Sequence, residues 1–343
     1  MSKKIHFCVL LCLFILVVLF VGMEIIARLE HYGPSRRSRS SQKESIMFKS
    51  DPVLGWIAKP GKYLVPAYVS GGSPIQYTYL EDSSRATSNS LMAGKYSIIL
   101  LGCSFTQGKA VSDSETFGWK LQEQFPSLKV GNFGMGAYGT FQSLLLLRRF
   151  FKRGVHPRFV VYGFCPFHEA RNIASAHWLL SLAGPANDGR VSIPYCSLDG
   201  NGKLVEHAAI QWPVIPLFFR EHFALPQLLF SFYTRFKTDE YHRRQNQRKI
   251  TKKLLLEMRN LTESNDAKLI VVILSGRDKD RKYYFDFLKN HKIDVLDASL
   301  DLIGEYAVPG DGHPSGKTHS RWADEIAQYL KMRMPSISGA THA

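Results

Sequence analysis

The sequence predicts an α/β protein with a doubly wound parallel sheet of five strands, preceded by one transmembrane helix. Short apolar segments alternate with segments of helical spacing, which is the pattern of a parallel sheet covered by helices on both faces. A long uncharged apolar run stands at the N-terminus. The 343 residues are 45% hydrophobic and 21% charged, a balance that supports a sizeable globular core.

The N-terminal run from Ile5 to Met23 contains no Asp, Glu, Lys or Arg over 19 residues. As a helix it would span roughly 28 Å, about the thickness of a bilayer core. No small-residue cleavage site follows it, so we predict an anchor over residues 1–30 rather than a cleaved signal peptide. The Ser- and Arg-rich residues 31–45 predict a basic flexible linker, and residues 46–343 the folded domain.

The elements of the sheet follow from the alternation of short apolar runs and helical periodicity. Strands are predicted at residues 97–102, 129–133, 158–164, 268–275 and 293–296. Helices are predicted at residues 112–125, 141–151, 243–260, 279–290 and 319–333. Between the third strand and the helix at 243–260, residues 170–240 predict an insertion with helical parts and a hairpin around 199–202.

The charge and the cysteines narrow the classes of partner. The net charge of +15 suits an anionic partner such as a membrane face or an acidic glycan. Neither zinc-finger spacing nor a basic-helix block occurs, so no nucleic-acid partner is predicted. The five cysteines include no CxxC pair and indicate neither a disulfide framework nor a metal site. No metal and no cofactor are expected, and the oligomeric state is left open.

Three separate segments carry residues suited to nucleophilic catalysis. Ser104 lies in LGCSFTQG, directly after the first strand, where its hydroxyl could stand at the carboxyl edge of the sheet. The glycine-rich GNFGMGAYG follows the second strand and would let backbone N–H groups approach a ligand. In DGHPS, Asp311 could accept the imidazole N–H of His313 and leave its other nitrogen for a serine hydroxyl. Each signal is weak alone.

Together these segments resemble the SGNH (GDSL-like) hydrolase family, in its membrane-anchored subgroup, over roughly residues 50–335. The resemblance implies a flavodoxin-like five-stranded sheet, with Ser104 as nucleophile, His313 as base and Asp311 as the acid that orients it. It also implies that the N–H groups of Ser104 and Gly134 hold the oxyanion. Upstream, residues 51–56 and 84–87 resemble segments of membrane-associated relatives.

The segment after the third strand departs from the family pattern, because no Asn-Asp pair follows it. His168 stands nearest that place and is the expected side-chain donor to the oxyanion, with Asn172 as the alternative. Cys103 stands where many relatives have Asp, and we expect it to pack at the strand exit rather than to attack.

The resemblance implies a serine esterase or acyltransferase acting on acyl esters, with a cell-envelope glycan as the first expectation. Basic residues flank both ends of the apolar run, and their count would keep the domain in the cytoplasm. Long domains translocate largely regardless of charge, so we expect an extracytoplasmic, periplasmic domain. One alternative is a lipid esterase, suggested by the Phe-rich part of the insertion. Another is a non-enzymatic anchored glycan-binding or assembly protein, suggested by the altered third segment.

Overall fold

The computed structural model of the chain describes residues 2–34, 45–90, 92–175, 178, 179, 182, 190–213, 217–229 and 240–334. Most of the predicted linker, residues 35–44, lies outside the described residues. So do parts of the predicted insertion and the last nine residues of the chain, 335–343.

After a long N-terminal helix, four short strands precede an alternation of strands and helices in the described part of the chain. The strands are β1 Phe48–Asp51, β2 Gly55–Ala58, β3 Gly61–Val65, β4 Ile75–Tyr79, β5 Ile98–Gly102, β6 Val130–Asn132, β7 Phe159–Phe164, β8 Arg190–Leu198, β9 Leu204–Pro213, β10 Lys268–Ile273 and β11 Asp294–Asp297. The α-helices are α1 Ser2–Leu29, α2 Ser104–Gln107, α3 Phe117–Gln124, α4 Thr140–Lys152, α5 His168–Asn172, α6 Leu217–His222, α7 Glu240–Glu263, α8 Asp278–Asn290 and α9 Gly316–Arg333. Short 3₁₀ turns lie at Ser45–Met47, Asp113–Glu115 and Gly304–Tyr306.

Helix α1 is long and apolar enough to cross a membrane, and within the described residues it alone meets that criterion. Within the span Lys4–Leu29, the most apolar 18-residue window has a mean hydropathy of 3.1, and only 6% of that window is buried against the rest of the chain. A helix that is apolar on all sides and yet unburied in the protein suits a lipid environment.

The central sheet contains five parallel strands in the order β11-β10-β7-β5-β6. This is the flavodoxin-like order, in which the first strand lies between the second and the third. Residues of β5 and β7 are buried on both faces, as expected for a parallel sheet between two helical layers. The predicted α/β fold class is therefore confirmed.

Helices cover both faces of this sheet. On one face, apolar residues of α4, α7 and α8 pack against Leu101, Tyr162 and Val271. On the other face, α3 and α9 pack against Leu100 and Val272. Burial of these two apolar layers is the main stabilising contribution to the domain, because each removes large side chains from water.

Two antiparallel hairpins, which the sequence did not predict, precede the central sheet. β1 pairs with β2, and β3 pairs with β4. The turn between β1 and β2 is fixed by Asp51, whose carboxylate accepts the N–H groups of Val53 and Leu54 at 2.9 and 2.8 Å. Arg149 of α4 binds the same carboxylate through two hydrogen bonds, at 2.8 and 2.7 Å, which ties the hairpin to the domain.

The insertion contains the predicted hairpin, formed by β8 and β9. Farther along, the helical residues 225–229 lie against α1. Glu24 of α1 accepts the N–H groups of Ala224 and Leu225 at 2.8 to 3.0 Å, and Phe20 packs edge-on against Phe223. The carboxylate thus caps the helical turn of the insertion at the end of the apolar helix.

Candidate active site

Three loops meet at the carboxyl edge of the central sheet, where the sequence predicted the functional residues. The first follows β5 and carries Ser104, and the second follows β6 and carries Gly134. The third contains Asp311 and His313, precedes α9 and comes from the far end of the chain. Because β5 and β6 are parallel neighbours, the loops that follow them emerge at the same edge of the sheet.

Ser104 is held at the sharp change from strand to helix. Gly102 ends β5 with a φ of 149°, a conformation that favours glycine, and a Cβ there would lie 2.2 Å from Thr106 Oγ1. Ser104 then begins α2 and is 6% exposed. No acceptor for the Ser104 N–H lies among the described residues, so this donor stays available beside the hydroxyl.

Ser104, His313 and Asp311 form one hydrogen-bonded chain. The Oγ of Ser104 lies 3.0 Å from Nε2 of His313. The opposite ring nitrogen, Nδ1, contacts Oδ1 of Asp311. An ionised carboxylate only accepts, so Nδ1 carries the hydrogen and Nε2 offers its lone pair to the serine hydroxyl. This is the protonation pattern that a general base requires.

Lys109 completes the environment of the carboxylate, a contact that the sequence did not indicate. Its Nζ lies 3.2 Å from Oδ2 of Asp311, so the two carboxylate oxygens have different partners. Burial by itself would raise the pKa of Asp311, but the hydrogen bond to His313 and the nearby Lys109 together lower it to about 2. Asp311 therefore stays ionised throughout the physiological range.

Arg85 braces the helix that carries Ser104. The residue is 1% exposed, and its guanidinium donates to Asp113 at 2.8 Å. It also donates to the carbonyl oxygens of Gln107 and Gly108, at 2.9 and 2.5 Å, where α2 ends. The segment containing Arg85 resembled one in membrane-associated relatives, but its role as a brace required the tertiary structure. The five-donor guanidinium satisfies helix-terminal carbonyls that would otherwise be buried without partners.

Gly134 lies directly against α2. A Cβ at this position would lie 2.4 Å from the backbone nitrogen of Gln107, so only glycine allows this approach. The Gly134 N–H, expected to face the oxyanion, donates to Asn132 Oδ1 at 3.1 Å. The Asn132 amide in turn donates to the carbonyl of Thr106 at 3.0 Å. These two hydrogen bonds hold the loop that carries Gly134 against α2.

His168 and Asn172 both lie in α5, and both are buried. Burial lowers the pKa of His168, which favours its neutral form. The Asn172 amide donates to Thr140 and Thr251 at 3.2 and 2.9 Å, and its Oδ1 accepts the N–H of Phe141 at 3.1 Å. Among the described contacts, no hydrogen bond joins either side chain to Ser104. The assignment of His168, or alternatively Asn172, as an oxyanion donor stays a prediction.

A cavity of about 310 Å³ lies to one side of the hydrogen-bonded chain. Phe167, Arg244, Gln247, Arg277 and Asp280 are among its lining residues. Phe167 also packs edge-on against Phe105, the residue that follows Ser104, with ring centroids 5.6 Å apart. The cavity therefore adjoins the nucleophile loop, although no residue of the hydrogen-bonded chain lines it.

The chain is similar to several solved structures at low sequence identity. A lipolytic protein of the G-D-S-L family from Veillonella parvula is 12% identical, with a TM-score of 0.39 over 69% of this chain and 98% of that one. TesA is 11% identical, with a TM-score of 0.41 over 69% and 99%. A mutant of the esterase AlinE4 is 10% identical, with a TM-score of 0.32 over 72% and 100%. No protein-family model matches the chain, and no curated protein matches it.

Proposed function

We propose that this protein is a membrane-anchored serine esterase or acyltransferase. The observation that carries the proposal is the hydrogen-bonded chain from Ser104 through His313 to Asp311. Its members come from segments about 200 residues apart and meet at the edge of an α/β sheet where ligands bind. A serine beside an imidazole that is itself oriented by a carboxylate is the arrangement of an activated acyl-transfer nucleophile.

The proposed reaction has two steps. His313 takes the proton of Ser104 while the serine oxygen attacks the ester carbonyl, and Asp311 stabilises the imidazolium that forms. The imidazolium then gives its proton to the departing alcohol, which leaves an acyl group on Ser104. Water or a sugar hydroxyl then gives a proton to His313 and attacks the acyl carbon. The bond between that carbon and Ser104 Oγ breaks, and His313 returns the proton to the serine oxygen.

The oxyanion formed in each step needs hydrogen-bond donors. The N–H of Ser104 is the first proposed donor, because it accompanies the nucleophile and has no acceptor in the described part of the chain. The N–H of Gly134 is the second, and it would be shared with, or released from, Asn132 when substrate binds. His168 or Asn172 would have to exchange present contacts to contribute a third donor.

The proposed substrate is an acylated cell-envelope glycan, met on the extracytoplasmic, periplasmic side of the membrane. Helix α1 would hold the domain close to the envelope as a single N-terminal span. The cavity beside Phe167 mixes the hydrogen-bonding side chains of Arg244, Gln247 and Arg277 with one aromatic ring. The lining also includes the carboxylates of Glu169 and Asp280, and Asp280 pairs with Arg244 and Arg277 at 2.8 and 2.9 Å, so the cavity offers both donors and acceptors to the hydroxyls of a glycan. The net charge of +15 suits an anionic partner.

Two other functions each have an observation in their favour. A lipid esterase is favoured by the insertion segment that contacts α1 through Phe223 and Leu228, because Phe219 and Leu229 of the same segment are 42% and 49% exposed. A non-enzymatic glycan-binding or assembly role is favoured by two candidate oxyanion donors, because the Gly134 N–H already donates to Asn132 and the Asn172 amide to Thr251.

Labelling with a fluorophosphonate serine probe separates enzyme from scaffold. We expect the wild-type protein to be labelled, Ser104→Ala to be unlabelled, and His313→Ala to be labelled far more slowly. Ser320→Ala is the matched control, because this serine lies on α9 and, among the described residues, its hydroxyl donates only to the carbonyl of Gly316. Labelling that persists in Ser104→Ala would rule out the serine mechanism. Release of acyl groups from an acetylated envelope glycan, compared with release from a phospholipid, then decides the substrate class.

A further inference from the structure

Two cysteines and a histidine lie together in the interior, and one of the cysteines is the chain neighbour of the nucleophile. Cys103 directly precedes Ser104 at the end of β5, Cys165 directly follows β7, and His168 begins α5. The two sulfurs and a ring nitrogen all lie within 4.8 Å of one another, and all three residues are 0% exposed. The strands bring the cysteines together, because Gly102 of β5 is the register partner of Gly163 of β7.

The hydrogen bonds around His168 direct a lone pair into this cluster. The hydroxyl of Tyr162 donates to Thr140 Oγ1 at 3.0 Å, so its oxygen accepts the N–H of His168 Nδ1 at 2.8 Å. In the neutral ring this leaves the lone pair on Nε2. That nitrogen is buried and has no hydrogen-bond partner in the described part of the chain. Metal-binding histidines are oriented in the same way, by a partner on the other ring nitrogen.

We propose that Cys103, Cys165 and His168 form a three-ligand site for a Zn²⁺ ion. Two sulfurs and one imidazole nitrogen are donors that zinc accepts, at about 2.3 Å for sulfur and about 2.0 Å for nitrogen. Binding replaces the two S–H protons by two S–Zn bonds and releases two protons to solvent, with no change of oxidation state. The fourth position of a tetrahedral ion is left to a non-protein ligand.

Charge balance favours Zn²⁺ over Cu⁺, the other ion that thiolate ligands select. Two thiolates neutralise a divalent ion, whereas a monovalent ion would leave a net negative charge in a fully buried place, which is costly. The ion would join the ends of β5 and β7 to α5. Since Cys103 is adjacent in the chain to Ser104, the ion would fix the backbone from which the nucleophile projects.

The test is the zinc content of the full-length protein, purified in detergent without chelator and with a non-thiol reductant. We expect the wild type to carry close to one zinc per chain by inductively coupled plasma mass spectrometry. Cys103→Ala and Cys165→Ala should each lose it. Cys196→Ala is the matched control, because this buried cysteine of β8 lies outside the cluster and should leave the zinc content unchanged.

Two further measurements remain informative if a cysteine variant folds poorly. Cobalt(II) added to wild-type protein should give a near-ultraviolet thiolate-to-metal charge-transfer band, which requires no substitution. Tyr162→Phe, which removes only the hydroxyl that orients His168, should weaken zinc affinity by about 10- to 100-fold. Ser104→Ala should keep its zinc, so this result does not depend on whether the protein is an esterase.

Three results would overturn the proposal. One is a reduced wild-type protein that contains no zinc and gives no cobalt charge-transfer band. Another is full zinc content in both Cys103→Ala and Cys165→Ala. The third is a Cys103–Cys165 disulfide, found by mass spectrometry in protein isolated without reductant, because the cluster would then be a redox pair.

Discussion

Replacing Asp311 by asparagine tests the hydrogen-bonded chain with the smallest change of shape. The two oxygens of Asp311 have different partners, since Oδ1 contacts His313 and Oδ2 lies 3.2 Å from the ammonium of Lys109. In Asp311→Asn the amide oxygen should turn towards Lys109, because an ammonium has only hydrogens to give. The amide NH₂ then faces Nδ1 of His313, and the ring hydrogen moves to Nε2. In that tautomer His313 cannot accept the proton of Ser104.

The expected loss follows from this change of tautomer. An equivalent substitution in a serine-protease triad lowers kcat by about 10⁴-fold, or roughly 5 kcal/mol, and we expect a similar loss here. A hydrogen bond to a charged group contributes about 1.5–3 kcal/mol, so Lys109 should bias the amide orientation by at least about tenfold. Removing that bias in Asp311→Asn/Lys109→Met should therefore restore activity by about tenfold over the single variant.

The assay is p-nitrophenyl acetate hydrolysis by detergent-solubilised protein, with the rate of fluorophosphonate labelling as a second readout. Lys109→Met alone is the control, and it should lose much less activity than Asp311→Asn, because the carboxylate still holds the correct tautomer. Activity of Asp311→Asn above about a tenth of the wild-type level would refute the change of tautomer, given the expected 10⁴-fold loss. If Asp311→Asn/Lys109→Met hydrolyses the ester no faster than Asp311→Asn, Lys109 does not determine the orientation of the amide.

Four other predictions concern stability and location. Arg85→Ala should lower the free energy of unfolding by about 3–5 kcal/mol in urea titrations, because a buried carboxylate loses its partner. Gly134→Ala should destabilise the fold and slow labelling of the nucleophile, whereas Gly200→Ala, with open space around it, should do neither. The pKa of Asp311 is lowered from 3.8 to about 2. Its contacts as an ionised carboxylate therefore contribute fully to stability above pH 3.8, and this contribution is lost as the pH falls through about 2. The difference in Tm between wild type and Asp311→Ala should therefore narrow over this range. Deleting residues 1–30 should move the protein from the membrane to the soluble fraction, and recovery of the shortened chain in washed membranes would contradict the anchor.

The sequence determined the central sheet with little error, because buried parallel strands are continuous apolar runs between turn residues. The strand predicted at 158–164 is Phe159–Phe164, and the helix predicted at 279–290 is Asp278–Asn290. The three loops that carry polar residues could also be placed, since the ends of parallel strands share an edge. The position of Ser104 at that edge follows from this rule, whereas the family resemblance was needed to assign Asp311 and His313 to the same site.

The sequence predicted the bounds of helices and turns less well where side-chain hydrogen bonds determine them. The helix predicted at 112–125 is divided into the 3₁₀ turn Asp113–Glu115 and α3. Thr116 caps α3 by accepting the N–H of Trp119 at 3.2 Å, and Asp113 is held by Arg85. The helical spacing of apolar residues gives no information about these contacts. The hairpins of β1 to β4 were missed for a similar reason, because Arg149 of a distant helix fixes the first turn.

The tertiary structure alone decided the partners of the polar groups around Ser104. The contact of Lys109 with Asp311 joins residues 202 positions apart, and the cluster of Cys103, Cys165 and His168 joins two strand ends and a helix. Apolar periodicity shows which face of an element is buried, since burial depends on the spacing of residues within one segment. A hydrogen bond or a metal site depends on the directions of side chains from several segments. Those directions are fixed only once the sheet and its helices have packed.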